Sequence, residues 1–115
     1  MKNLFEAKTP EDLRDNFLKE SSNAEVINMF IYDSFPKNKR PRWGTKNLVI
    51  AKQYDGTWAL INYNTPLLYR DKNDNLYFNS TKYSMSTTTI QNIIKRYLPP
   101  GTKEVSEEEI NKVMP

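Results

Sequence analysis

The chain has 115 residues, with 17 Lys and Arg against 14 Asp and Glu, and it contains neither His nor Cys. This length predicts one domain with a modest core. The missing residue types exclude a zinc site of thiolate or imidazole ligands, a disulfide, a Cys nucleophile and a Ser-His pair. Since the carboxylates show no metal-ligand spacing, we predict that the protein is not an enzyme and uses no cofactor and no metal.

Apolar residues are spread too thinly along the chain for a membrane span. No segment approaches the roughly 20 consecutive apolar residues that a span needs, and residues 1–6 lack the apolar core of a signal peptide. These features predict a cytoplasmic protein with no membrane partner.

The net charge of +3 is distributed unevenly along the chain. Residues 1–34 carry a net charge of −3, residues 35–98 carry +8 and residues 99–115 carry −2. A basic middle between acidic ends predicts a positive surface that attracts nucleic acid, an anionic ligand or an acidic protein. The alternative is that the acidic ends fold over the basic middle and neutralise it.

The N-terminal part, residues 1–34, is predicted to form a helical hairpin. The first helix begins at Thr9-Pro10, where Thr caps and Pro suits the first helical position, and it ends near Glu20. A capping box from Ser22 to Glu25 begins the second helix. Its apolar residues recur at helical spacing: Val26, Ile27, Phe30 and Ile31.

The middle of the chain is predicted to form a four-stranded antiparallel sheet. It follows a basic loop at residues 34–44, where two prolines disfavour a helix. The Asp55-Gly56 pair favours a tight hairpin turn. The predicted strands cover residues 47–51, 58–63, 67–70 and 76–79.

An amphipathic helix is predicted after the sheet. A capping box begins it at Thr88, the apolar residues Ile90, Ile94 and Leu98 lie on one face, and Pro99 ends it. Residues 99–115 then form an acidic tail with a short helix at Ser106. The fold class is therefore predicted as α+β, one domain over residues 1–115 with the sheet and its C-terminal helix at 43–98.

The basic loop is the strongest candidate binding segment. Its cations are suited to phosphates, its prolines hold it extended, and a Trp at its end can stack on an unpaired base. The alternative is a solvated loop whose Trp is anchored in the core. The candidate residues are Lys37, Lys39, Arg40, Arg42 and Trp43.

A hydroxyl-rich stretch at residues 80–89 is the second candidate. It leads into a helix N-terminus, where free N–H groups attract anions, although N-capping alone also explains a Thr there. Its candidate residues are Lys82, Tyr83, Ser84 and Thr87.

The polar face of the amphipathic helix is the third candidate. Lys95 and Arg96, with Gln91 and Asn92, are residue types that read bases in a major groove, or they form a solvated face. Tyrosines also recur through the sheet, where an exposed ring can stack on a base and a buried ring belongs to the core. They are Tyr54, Tyr63, Tyr69, Tyr77 and Tyr83.

Three motifs follow one another along the chain. They are Trp43-Gly44-Thr45, Asn64-Thr65-Pro66-Leu67, and a stretch from Asn79 to Asn92 that contains Lys82-Tyr83-Ser84 and Thr87-Thr88. Together they resemble a family of small, uncharacterised proteins of phages and plasmids of Gram-positive bacteria. The resemblance covers residues 43–98 and implies an origin in a mobile element, with no established activity.

These observations predict a phage or mobile-element accessory protein that binds a host protein or nucleoprotein complex. We favour inhibition of a defence system of the CRISPR or restriction type. The positive net charge argues against a DNA mimic, which would be strongly acidic. Two alternatives stay open. One is a DNA- or RNA-binding protein of phage replication or transcription, and the other is a protein that sequesters a small anionic nucleotide near Lys82.

Overall fold

The computed structural model describes residues 23–115, so the first predicted helix, at residues 9–20, lies outside the described residues. Helices and a mixed sheet together confirm the α+β class. In chain order the elements are α1 (Asn23–Ile31), β1 (Arg42–Gly44), β2 (Leu48–Lys52), β3 (Trp58–Asn62), β4 (Thr65–Arg70), β5 (Leu76–Asn79), α2 (Met85–Tyr97), β6 (Lys103–Val105) and α3 (Glu107–Val113).

The sheet has six strands in the order β1-β2-β3-β4-β5-β6. The four predicted strands are confirmed as β2 to β5, which form an antiparallel meander. The prediction of only four strands is wrong at both edges, where β1 lies in the predicted loop and β6 in the predicted tail. Each edge strand has three residues, too few for alternation to reveal it from the sequence.

The predicted amphipathic helix is α2, but the predicted capping box at Thr88 is wrong, because the helix already begins at Met85 after the N-cap Ser84. It is also not the last element of the fold. It carries the chain from the end of β5 to the start of β6, so these two strands are parallel. The segment predicted as an acidic tail forms β6 and α3. The capping box that begins α3 is confirmed, since Ser106 Oγ accepts a hydrogen bond from the Glu109 N–H at 3.2 Å.

Both faces of the sheet are covered. Strand residues alternate between the faces, and one face packs under α1 and α2 with Ile50, Leu60 and Phe78 in its core. The other face is covered by α3, whose Ile110 is buried with Tyr69. Burying side chains of this size contributes roughly 1.5–3 kcal/mol each, so α3 is a packed element of the fold.

The strand directions define two ends of the sheet. The lower end includes Lys52 at the end of β2 and Trp58 at the start of β3. The upper end includes Asn62 at the end of β3 and Asn79 at the end of β5. Strands of five residues separate the two ends by about 16 Å.

Candidate functional site

The basic loop leaves α1 at the lower end of the sheet, where two side chains hold its start. The guanidinium of Arg70 donates hydrogen bonds to the carbonyls of Phe30 and Ile31 at 3.0 and 2.8 Å, which satisfies the C-terminus of α1. The ring of Phe35 packs edge-on against the ring of Trp58, with 5.0 Å between centroids. These contacts hold the first residues of the loop in place.

Strand β1 holds the other end of the loop. The Lys52 N–H donates to the Pro41 carbonyl at 2.9 Å, and Arg42 pairs with Ala51 in the sheet. Within the loop, the Lys39 N–H donates to the Pro36 carbonyl at 3.2 Å and closes a turn. This anchoring at both ends limits the entropy that the loop loses when it binds.

A pocket of about 300 Å³ opens between the loop and the end of β2. Among the described residues that line it, four are cationic and none is acidic. We call it the basic pocket; it is lined by Lys37, Asn38, Lys39, Arg40, Pro41 and Lys52. Lys52 was not among the predicted site residues, because only the pairing of β1 with β2 brings it beside the loop.

The cations of the basic pocket differ in how they are paired. Lys37 forms an ion pair with Asp33 at 2.6 Å. Among residues 23–115, no carboxylate lies within ion-pair distance of Lys39, Arg40 or Lys52. Arg42 is also exposed and has no ion pair with a described residue, although it lies on β1 outside the pocket lining. The pocket can therefore offer its charge to an external anion.

Trp43 does not contribute the stacking surface that the sequence predicted. Its side chain is 3% exposed and belongs to the core between the sheet and the helices. The exposed Arg40 lies over its ring, with 5.2 Å from the guanidinium carbon to the centroid. This burial agrees with the alternative of a Trp anchored in the core, because β1 turns the side chain inward.

The hydroxyl-rich segment lies at the upper end, and one of its candidate binding residues, Thr87, makes its hydrogen bond inside the fold. Thr87 is buried, and its hydroxyl donates to Asn62 Oδ1 at 2.9 Å. Asn62 in turn donates from Nδ2 to the Asn47 carbonyl at 2.9 Å. The Thr87 hydroxyl therefore joins α2 to the sheet, and the structure gives it an internal partner in place of the predicted external one.

Further residues of the same motif form a second internal network. Gln91 Nε2 donates to the carbonyls of Asn79 and Thr81, each at 2.9 Å. Asn79 Nδ2 donates to the Tyr83 hydroxyl at 2.8 Å, and burial raises the pKa of this Tyr. Gln91 is buried and cannot read a base, so its predicted role in a major groove is wrong.

Lys82 and Ser84 are exposed at the upper end, but their surroundings are acidic. The Glu107 N–H, at the start of α3, donates to Thr81 Oγ1 at 2.8 Å. This contact brings the acidic first turn of α3 beside the segment that carries Lys82. Here the acidic C-terminal part lies against the basic middle, which is the arrangement that weakens attraction for an anion.

Lys95 and Arg96 lie in the last turn of α2 and are exposed. Cations at this position interact favourably with the negative end of the helix dipole. Neither residue lines the basic pocket. The predicted site residues are thus dispersed: Lys37, Lys39 and Arg40 line the basic pocket, Arg42 and Trp43 lie on β1, and the others lie at the upper end or at the end of α2.

A second cavity of about 300 Å³ lies at the lower end, between the turns that follow α1, β2 and β4. Its carboxylates all have partners within the fold. Asp33 pairs with Lys37, and Asp74 lies 3.2 Å from Arg70. Asp55 accepts hydrogen bonds from the side chain and N–H of Thr57, which lower its pKa.

The fourth carboxylate of this cavity, Asp71, closes the turn between β4 and β5. Its burial raises its pKa, but hydrogen bonds from Asn75 and Asn73 outweigh that effect and hold the pKa below its usual value. Within residues 23–115, no three His, Cys, Asp or Glu side chains are placed to hold a metal ion. The carboxylates of this cavity stabilise turns.

No protein-family model, curated protein or solved structure matches this chain. The resemblance to small phage and plasmid proteins therefore stays a prediction. In the part of the chain that the structure describes, every helix is too short or too polar to cross a bilayer.

Proposed function

We propose that this chain is a non-enzymatic binding protein whose basic pocket contacts the phosphate backbone of a nucleic acid. The observation that supports the proposal is the grouping of Lys39, Arg40 and Lys52 without a paired carboxylate among the described residues. Such cations neutralise phosphates and release condensed counterions, which supplies most of the non-specific affinity for nucleic acids. Arg42 extends the positive surface along β1.

In the cell, the proposed nucleic acid is part of a host nucleoprotein complex. The chain then acts as a phage or mobile-element accessory protein that inhibits a defence system of the CRISPR or restriction type. A basic pocket supports contact with the nucleic acid of such a complex. It does not support imitation of the nucleic acid, because a mimic needs a negative surface.

Direct binding of DNA or RNA in phage replication or transcription is the second candidate, and the same pocket favours it. A pull-down of the tagged chain from host lysate, with and without nuclease, distinguishes the two roles. A defined protein complex that survives nuclease treatment supports the inhibitor. Recovery of nucleic acid alone, lost after nuclease treatment, supports the direct binder.

The backbone contact itself is tested by fluorescence anisotropy with a labelled oligonucleotide at several salt concentrations. The double variant Lys39→Glu/Arg40→Glu should lower affinity by about tenfold or more and reduce the slope of log K against log salt by about 2. The matched control is Lys46→Glu/Lys82→Glu, which makes the same change in net charge with two exposed lysines of the upper end. Equal loss in both variants would falsify the assignment to the basic pocket.

A further inference from the structure

One aromatic ring near the basic pocket has no role in the core. Tyr54 is fully exposed, with a relative accessibility of 102%. It lies in the turn between β2 and β3, immediately after Gln53 and two residues after Lys52 of the basic pocket. Two residues span at most about 7 Å between their Cα atoms, so the backbone that carries the ring lies close to a residue that lines the pocket.

The backbone that presents this ring is held in place. The Gln53 N–H donates to the Thr57 carbonyl at 2.7 Å, and the Gly56 N–H donates to the Gln53 carbonyl at 3.0 Å. Asp55 accepts from the Thr57 N–H at 3.1 Å and closes the turn from its other side. The turn is therefore ordered without any contribution from the Tyr54 side chain, whose ring is free to meet a ligand.

We infer that the basic pocket takes single-stranded nucleic acid, with the Tyr54 ring stacking on an unpaired base next to the phosphates held by Lys39, Arg40 and Lys52. This inference rests on the proposed function. A cationic groove beside an exposed aromatic ring is the combination that binds single strands without regard to sequence. In a duplex the bases are already stacked on one another, so the ring gains no partner there.

An acidic segment of a partner protein is the alternative occupant of the pocket. It would use the same cations, but its carboxylates have no flat face that stacks on Tyr54. The dependence of affinity on this ring therefore distinguishes a nucleic acid from a base-free polyanion. The distinction can be measured with three probes: a single strand of about 12 nucleotides, the duplex of the same sequence, and heparin.

The variant Tyr54→Ala should weaken binding of the single strand by about 5-fold to 100-fold. Its affinity for the duplex and for heparin should stay within about twofold, because those contacts are made by the cations. Tyr54→Phe keeps the ring and should bind the single strand like the wild type. Tyr63→Ala is the matched control, since Tyr63 is also exposed but lies at the upper end.

The outcomes separate this inference from the function on which it rests. If Tyr54→Ala binds the single strand as tightly as the wild type, or loses duplex and single strand equally, stacking at Tyr54 is ruled out while the backbone contact stands. If Lys39→Glu/Arg40→Glu binds every probe like the wild type, the proposed function itself fails. Thermal unfolding of each variant at the wild-type midpoint shows that the fold is intact.

Discussion

Both ends of the sheet carry polar residues that the sequence made candidates for binding, but the two groups differ in burial and in hydrogen bonding. At the upper end, Asn62, Thr87 and Gln91 are buried, and each side chain is hydrogen-bonded within the fold. At the lower end, Lys39 and Arg40 are exposed and unpaired with any described carboxylate. A buried polar side chain that is hydrogen-bonded within the fold contributes to stability. A charged side chain that is exposed and unpaired is available to a binding partner.

This contrast separates two kinds of expected effect. Changes at the upper end should lower the free energy of unfolding and leave nucleic-acid affinity unchanged. Changes in the basic pocket should lower affinity and leave stability unchanged.

Gly44→Ala should destabilise the protein by about 3 kcal/mol or more. Gly44 has a φ of +134°, and a Cβ there would lie 2.3 Å from the Leu48 carbonyl oxygen. Gly101→Ala is the control, because its φ is also positive at +89° but nothing lies within 4 Å of the added Cβ. Urea unfolding of both variants measures the difference. Since β1 anchors the basic loop, Gly44→Ala is the one upper-end change expected to weaken binding as well.

Asn62→Ala should destabilise the protein by about 1–3 kcal/mol, because it leaves the buried Thr87 hydroxyl without its partner and removes one of the two hydrogen bonds to the Asn47 carbonyl. Asn64→Ala, an exposed position in the following turn, should change stability by less than about 0.5 kcal/mol. Urea midpoints give the comparison. A folded Asn62→Ala variant with reduced affinity for the single strand would contradict the separation of the two ends.

Asp71→Ala should destabilise the protein by about 1.5 kcal/mol at neutral pH, because the Asp71 carboxylate accepts hydrogen bonds from Asn73 and Asn75. The folded pKa of Asp71 lies below its unfolded value. Its contribution is thus fully present above the unfolded pKa of about 4 and is lost as pH falls through the folded pKa. Urea midpoints from neutral to acidic pH should converge for wild type and variant. A constant difference at all pH values would contradict this assignment.

Ser106→Ala should cost about 1 kcal/mol, whereas Ser84→Ala should cost less than about 0.5 kcal/mol. Both residues are N-caps, but only the Ser106 side chain accepts a hydrogen bond from a backbone N–H of its helix, that of Glu109. The pair is compared by thermal unfolding. Equal losses of stability would contradict this prediction, because they would show that the Ser84 side chain also caps its helix in solution.

Much of the secondary structure could be predicted from local pattern. Strands β2 to β5 follow from apolar runs bounded by turn residues, and α2 follows from the helical spacing of Ile90 and Ile94. The cap at Ser106 was also correct, since a capping box is a local interaction between residues three apart. Strands β1 and β6 were missed because three residues carry no usable period.

The candidate sites were predicted less well, because burial is not a local property. Trp43 follows a run of cations, yet its pairing opposite Ile50 turns the ring into the core. Thr87 and Gln91 lie in a polar segment, yet their partners Asn62 and Asn79 come from other strands. No pattern within the segment indicates such partners.

The α+β class, the concentration of positive charge in the middle of the chain and the lack of His and Cys can all be read from the amino-acid sequence. These properties depend on composition and on residues that are close together in the chain. Which cations are available to a partner depends on tertiary contacts, because strand pairing brings Lys52 to the loop and α3 brings its acidic first turn beside the segment that carries Lys82. The net charge of +3 thus describes the whole chain, while the electrostatic attraction for a partner is set by the few groups that the fold leaves unpaired.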